Sequence, residues 1–294
     1  MNYKVLILAL SKILESVQGL VTVRQVFYQL VSHWSLPNKR SSYNYLSKQL
    51  KKARQRGEVD PDKFADRSRR LWPPDPMWNG PGEYATSLQR YIPGYRLDFW
   101  QHQPRVVELW IEKDALASVV ATTAWVYRIV VFPLRGYVSE TMLREAAARW
   151  GSRPVTIILL TDHDASGLDI PRDLERRLRE LRASVIIKRV GLTIEQVREY
   201  TLPPNVVKDE DTRSPDYISK YGHECWELDA LPPEELHKLL RIAIEAEIDS
   251  EKWLTSHRIE EQETARLQPW RTQLESLLSS SAVYHSWSIS ERES

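Results

Sequence analysis

The stretch Val155–Asp169, reading VTIILLTDHDASGLD, constrains this chain more than any other. Val155 to Leu160 is an apolar, β-branched run, the composition of a strand buried on both faces of a parallel sheet. It stops at Asp162-His163-Asp164. Gly167 follows, and a charged helical pattern runs from Leu168 to Arg182. The order strand, acidic turn, helix puts Asp162 and Asp164 at the carboxyl end of a strand, where open α/β sheets gather their ligands. Two residues apart, the carboxylates can point to the same side and repel each other there. A divalent cation relieves that repulsion, and an all-oxygen donor set favours Mg²⁺. A solvated acidic loop, or a cap for the following helix, is the other reading of these residues.

A second run, Val106–Ile111, ends at Glu112-Lys113-Asp114, again just before a helical pattern. If the two strands are neighbours, Glu112, Asp162 and Asp164 form one metal site, with Lys113 and Asp114 behind it. The surrounding pattern alternates: strands over 105–111, 126–132, 154–161 and 184–190, helices over 114–125, 139–150 and 168–182. That alternation predicts a parallel sheet with helices on its faces. Thr193-Ile-Glu-Gln196 is a capping box opening a short helix, and Ser139 is a cap without the full box.

A chain of 294 residues accommodates two domains. The formal charge is only +1, but it is unevenly spread. Lys39 to Arg70 holds 11 Lys and Arg against 4 Asp and Glu, whereas Glu227 to Glu263 holds 4 against 11. This asymmetry suggests a polyanion-binding end and an acidic end, unless both are ordinary solvated helix faces. The single cysteine, Cys225, excludes an internal disulfide and a Cys-rich zinc site and fits a reducing, cytoplasmic setting. His163, His223 and Cys225 do not make a zinc set. No apolar run is long enough for a membrane span.

Before residue 80 the pattern is helical. Apolar spacing predicts helices over Tyr3–Val17, Val23–Trp34, with Thr22 as its cap, and Ser41–Arg56, stopped by Gly57. Three short helices and the polar stretch Asp60–Arg70 suggest a winged helix-turn-helix. Arg40, Lys48, Lys51, Lys52, Arg54 and Arg56 on or beside the third helix would lie along duplex DNA. In the second helix Val23, Val26, Phe27, Leu30, Val31 and Trp34 form one apolar stripe. Tyr28 lies roughly 130° from its centre and is expected on the exposed face, one turn above Arg24. A free phenol, with a pKa of about 10, is a weak nucleophile; a neighbouring guanidinium favours phenolate and can brace a phosphate. A surface tyrosine lying beside an arginine is the plainer alternative. The Pro- and Gly-rich stretch Trp72–Gly82 marks a boundary. Glu234–Ser279 reads as one or two long helices suited to packing or dimerisation, and the Ser-rich end beyond it as frayed.

Glu112 after an apolar strand, then Asp162-x-Asp164-x-x-Gly167 some fifty residues on, resembles a Toprim domain. The wording Glu112-Lys-Asp-Ala and Asp162-His-Asp-Ala-Ser-Gly167 is most similar to the topoisomerase VI A subunit and its meiotic double-strand-break relatives, with Ala165 where the family usually has Pro. Thr22-Val-Arg24-Gln-Val-Phe27-Tyr28 resembles the family's R-x-x-Y-Y, with Phe27 in the first aromatic position. Gly136 resembles the Gly after the second strand. Trp226–Leu231 resembles the segment that closes the Toprim region, where Glu227 and Asp229 are either groups behind the metal ligands or surface acids. In length the chain is similar to the compact stand-alone "Mini-A" members of prokaryotes and mobile elements.

The resemblance implies an α/β protein with an α+β N-terminal part. A winged helix over 1–71 carries the catalytic Tyr28 and Arg24, a connector spans 72–104, a Toprim Rossmann-like sheet spans 105–232, and a helical extension spans 233–294. It implies a Mg²⁺-dependent, topoisomerase-like enzyme that cleaves duplex DNA through a 5′-phosphotyrosyl intermediate. It also implies a homodimer, a nucleoid-associated cytoplasmic location, and an ATPase B-type partner, since this chain has no P-loop. A hydrolytic Toprim nuclease and a non-catalytic DNA-binding or regulatory protein are the alternatives.

Overall fold

The computed structural model describes residues 2–17, 19–60, 63–64, 87, 94–207 and 213–279. The expected boundary at 72–82, most of the polar stretch 60–70 and the Ser-rich end lie outside them. Two compact units form: Met1–Arg69 with Pro104–Ile248, and Arg70–Gln103 with Asp249–Ser294.

The first unit is built on a four-stranded, all-parallel sheet. Its strands are β1 (Val106–Ile111), β2 (Val130–Pro133), β3 (Val155–Leu160) and β4 (Val185–Gly191), in the order β2-β1-β3-β4. β1 and β3 are neighbours in register, Val106 opposite Val155 and Ile111 opposite Leu160. After β1 the chain steps to one side to make β2, and then returns to the other side to make β3. The strand order therefore reverses between β1 and β3, the position where parallel α/β sheets leave a crevice at their carboxyl edge.

Helices α4 (Asp114–Val126), α5 (Glu140–Trp150) and α6 (Ala165–Glu180) connect these strands. Trp110, Ile157 and Leu159 pack with Leu143, Ala146 and Trp150 of α5 and Ile170, Leu174 and Leu178 of α6. The alternate residues Leu109, Ile111, Ile158 and Leu160 are fully buried on the other face, where α4 and α9 (Pro233–Glu245) lie. Leu236, Leu240 and Ile244 of α9 are fully buried, so this unit runs past residue 232 to Ile248. β1 also buries a carboxylate. Glu108 accepts hydrogen bonds from the indoles of Trp110 (2.9 Å) and Trp150 (2.7 Å) and from the Arg149 guanidinium (2.9–3.1 Å).

Of the predicted elements, β2 starts furthest from expectation, four residues late at Val130, because α4 runs on to Val126; α6 begins at Ala165, three residues before the predicted start, because Asp164 is its cap. The N-terminal helices are α1 (Tyr3–Ser16), α2 (Val23–Trp34) and α3 (Arg40–Gln55). Thr22 caps α2 in a reciprocal box with Gln25. Short elements follow β4: α7 (Ile194–Glu199), opened by the Thr193–Gln196 box, then β5 (Asn205–Val206), α8 (Ser214–Tyr221) and β6 (Glu224–Cys225), with β5 and β6 antiparallel.

In the second unit a 3₁₀ turn, Phe99–His102, packs on α10 (Ser250–Ser279), with the rings of Phe99 and Trp100 edge-on to Trp253. Among the described residues no helix is long and apolar enough to cross a membrane.

Candidate active site at the carboxyl ends of β1 and β3

Glu112 follows β1 and the Thr161–Asp164 turn follows β3. The Glu112 amide donates to the Leu160 carbonyl (2.9 Å), and the Asp162 amide donates back to Glu112 Oε2 (3.0 Å). The turn is held from below by an unusual relay. Pro171 lies inside α6, so the carbonyl four residues earlier, Gly167, lacks its helical donor. The Thr161 hydroxyl donates to that carbonyl (2.8 Å), and Arg189 Nε donates to the Thr161 oxygen (2.7 Å). Gly167 is required by space: a Cβ there would lie 2.2 Å from the Asp162 carbonyl oxygen.

The three predicted ligands are not used alike. Asp164 turns one oxygen to the Gly167 amide (2.6 Å), the capping role left open by the sequence. Asp162 accepts from the Leu228 amide (2.8 Å) through Oδ1 and from Lys113 Nζ (3.0 Å) through Oδ2. Lys113 is the hub of the site. Its ammonium also meets Glu227 (2.9 Å) and Asp229 (2.9 Å); burial works against its charge, but Asp229, Asp162 and Glu227 hold it well above the usual lysine range. Among the described residues no three His, Cys, Asp or Glu side chains converge as a metal set. Of the expected three-carboxylate set, Asp162 is engaged by Lys113 and the Leu228 amide. Asp114 is likewise drawn off, to Arg135 (3.1 Å).

Glu112 and Asp164 remain a pair. Burial, and then the nearby Asp164 charge, push the Glu112 carboxyl up. Glu112 Oε1 and Asp164 Oδ2 have no hydrogen-bond partner among the described residues. Two carboxylates with one open oxygen each suit Mg²⁺, which keeps its waters and commonly takes a phosphate oxygen as well.

Tyr28 departs from expectation. It is 2% exposed, not on an open face. Within the apolar stripe of α2, Val26, Phe27 and Leu30 are buried and Val23, Val31 and Trp34 half-buried, but the opposite face is covered too, by Asn205 of β5 and the 3₁₀ turn Leu228–Ala230. The phenol is nevertheless in polar company. Asn205 Nδ2 donates to its oxygen (2.7 Å) and also to Glu227 (3.3 Å), while Arg24 forms an ion pair with Glu227. Burial, and then the Glu227 charge, push the Tyr28 hydroxyl up to about 12, so the expected phenolate is not favoured here; Asn205, Arg24 and Lys113 oppose the shift but do not reverse it.

Thus Tyr28, Asn205, Glu227, Lys113 and Asp162 form one connected polar chain from α2 to the acidic turn. Asp229 adds a second tie, accepting from the Thr22 hydroxyl (3.1 Å) at the start of α2. The sequence alone left Asn205, Arg189 and Thr161 unmarked and Glu227 and Asp229 undecided. The resemblance carried by Trp226–Leu231 is their one signal. Trp226 bridges to His163 through paired backbone hydrogen bonds (2.8 and 3.0 Å), which fixes that segment on the acidic turn.

Of the basic residues around α3, Arg40, Lys48, Lys51, Lys52 and Arg56 are exposed. Arg54 is instead half-buried, its guanidinium 4.1 Å from the Phe64 ring centre.

No protein-family model matches this chain, and no curated protein matches it.

Proposed function

We propose that this protein is a DNA-cleaving transesterase of the type IIB topoisomerase A kind, with α1–α3 serving as its winged helix and the four-stranded unit as its Toprim domain. The observation that carries the reading is the polar chain from the Tyr28 hydroxyl through Asn205, Glu227 and Lys113 to Asp162, at the point where the strand order reverses. It brings a potential oxygen nucleophile, cations and the Asp162 carboxylate into one network, and the Asp162 amide ties that network to Glu112.

In the reaction, the Tyr28 oxygen forms a bond to a backbone phosphorus and loses its proton. The bond from phosphorus to the 3′-oxygen breaks, and that oxygen leaves as a hydroxyl. The product is a 5′-phosphotyrosyl link, and re-attack by the 3′-hydroxyl reverses it. Arg24 offsets charge on the phosphoryl oxygens in the transition state. Glu112 and Asp164 are the residues that would hold Mg²⁺, which supplies Lewis-acid stabilisation of the leaving oxygen when bound. The exposed cations of α3 track the duplex backbone. A homodimer, with paired cuts on the two strands, belongs to the same reading.

The test is a denaturing gel of the protein incubated with labelled duplex, with Mg²⁺ or with EDTA. A Mg²⁺-dependent covalent adduct at a 5′ end, lost in Tyr28→Phe, is expected. Cleavage that persists without adduct in Tyr28→Phe would assign the chain to the hydrolytic nucleases instead.

A further inference from the structure

The Glu227 carboxylate is surrounded by donors from three separate parts of the chain. Arg24 of α2 and Asn205 of β5 meet Oε1, the latter at 3.3 Å, and Lys113, between β1 and α4, meets Oε2 at 2.9 Å. A guanidinium, an ammonium and an amide converging on two oxygens is the donor set of a phosphodiester site. The same Asn205 amide touches the Tyr28 oxygen, 2.7 Å away. The site is reachable: the Glu227 side chain is 19% exposed and that of Arg24 43%.

We propose that Glu227 is an internal stand-in for a phosphate: the pocket formed by Arg24, Lys113 and Asn205 is the seat of the scissile phosphodiester, and Glu227 keeps it closed until DNA displaces it. The inference rests on the reading of Tyr28 and duplex DNA as reaction partners. It adds a phosphate seat, two ligands for it, and a reason why Tyr28 is covered at rest. Lys113 and Asn205 act on the phosphate directly. Glu227 is a positioning residue, whose departure together with the Leu228–Ala230 turn frees Arg24, leaves Lys113 to Asp162 alone and uncovers the phenol. Asp162 continues to hold Lys113 after they leave, so the ammonium stays in place for the incoming phosphate.

The experiment measures duplex binding by fluorescence anisotropy in EDTA across a salt series, for the unmutated protein, Glu227→Gln, Lys113→Met, the double variant Glu227→Gln/Lys113→Met, and Glu224→Gln as a control for loss of a nearby exposed acid. Glu227→Gln is expected to bind about tenfold more tightly. Its log–log salt slope should steepen by about 1 for each phosphate newly paired with a cation. Glu224→Gln should change little, and the double variant should lose the gain. On the unmutated protein, hydrogen exchange over 224–231 should speed up when duplex is added. A gain of equal size in Glu224→Gln, a gain that survives Lys113→Met, or unchanged exchange over 224–231 would overturn the proposal. Failure of the parent reading looks different: no variant forms a covalent adduct, while the affinity changes remain.

Discussion

Thr161 donates its hydroxyl proton to the Gly167 carbonyl at 2.8 Å, standing in for the amide that Pro171 lacks. Both groups are buried, so nothing else can serve that carbonyl. Thr161→Val keeps the shape and removes the donor, which should cost about 1–3 kcal/mol. Adding Pro171→Ala restores an amide at the right position and should recover much of the loss. Urea unfolding of the two single variants and the double variant reads this directly; additive losses would dismiss the relay.

Gly167→Ala should be worse than its one methyl suggests. The new Cβ would lie 2.2 Å from the Asp162 carbonyl, so the acidic turn has to move. We expect a loss of about 1–3 kcal/mol, together with weaker Mn²⁺ binding by electron paramagnetic resonance. Unfolding and ion binding like those of the unmutated protein would show the turn to be pliable.

Glu108 is a buried carboxylate satisfied by two indoles and a guanidinium. Glu108→Ala strands all three donors and should cost about 3–5 kcal/mol. Glu108→Gln keeps one accepting oxygen and should fall between. Urea unfolding of both variants measures this, and a Gln variant as stable as the unmutated protein would contradict the account.

His163 is buried against Tyr217, Tyr221 and Trp226. Burial, and then the Arg189 charge, bring its imidazole down to about 4. The Tyr217 hydroxyl has one proton, which goes to the carbonyl of His163 (2.9 Å) or Glu224 (3.0 Å). Its oxygen therefore accepts from His163, which fixes the Nδ1–H tautomer. A histidine lowered in the folded state contributes stability that is fully present above about 6.5 and is lost as the pH falls through about 4. The stability gap between the unmutated protein and His163→Gln should thus narrow over that window, and ¹⁵N spectra should report the Nδ1–H form at pH 7. A gap independent of pH would reject the assignment.

The parts legible in the sequence were those governed by local pattern. The apolar runs at Val106 and Val155 identified their own strands, and Thr22 and Thr193 announced their caps. Periodicity located the apolar stripe of α2 correctly, but it could say nothing of what covers the other face. Asn205 and Glu227 reach Tyr28 and Arg24 from nearly two hundred residues away or more, through single side chains in a two-residue strand and just before a 3₁₀ turn, neither of which carries a periodic signal. The same limit applies to the acids. Spacing brought Glu112, Asp162 and Asp164 to one edge of the sheet, but the choice between a cation and Lys113 as partner for Asp162 depends on the geometry of Leu228 and Asp229.

The cover over α2 also has a consequence for synthesis. Thr22 finds its partner in Asp229, 207 residues later. Until that stretch has left the ribosome, the Arg24–Tyr28 side of the nascent helix has no lid, and a chain released too early would keep this cationic, phenol-bearing surface open to any polyphosphate in reach.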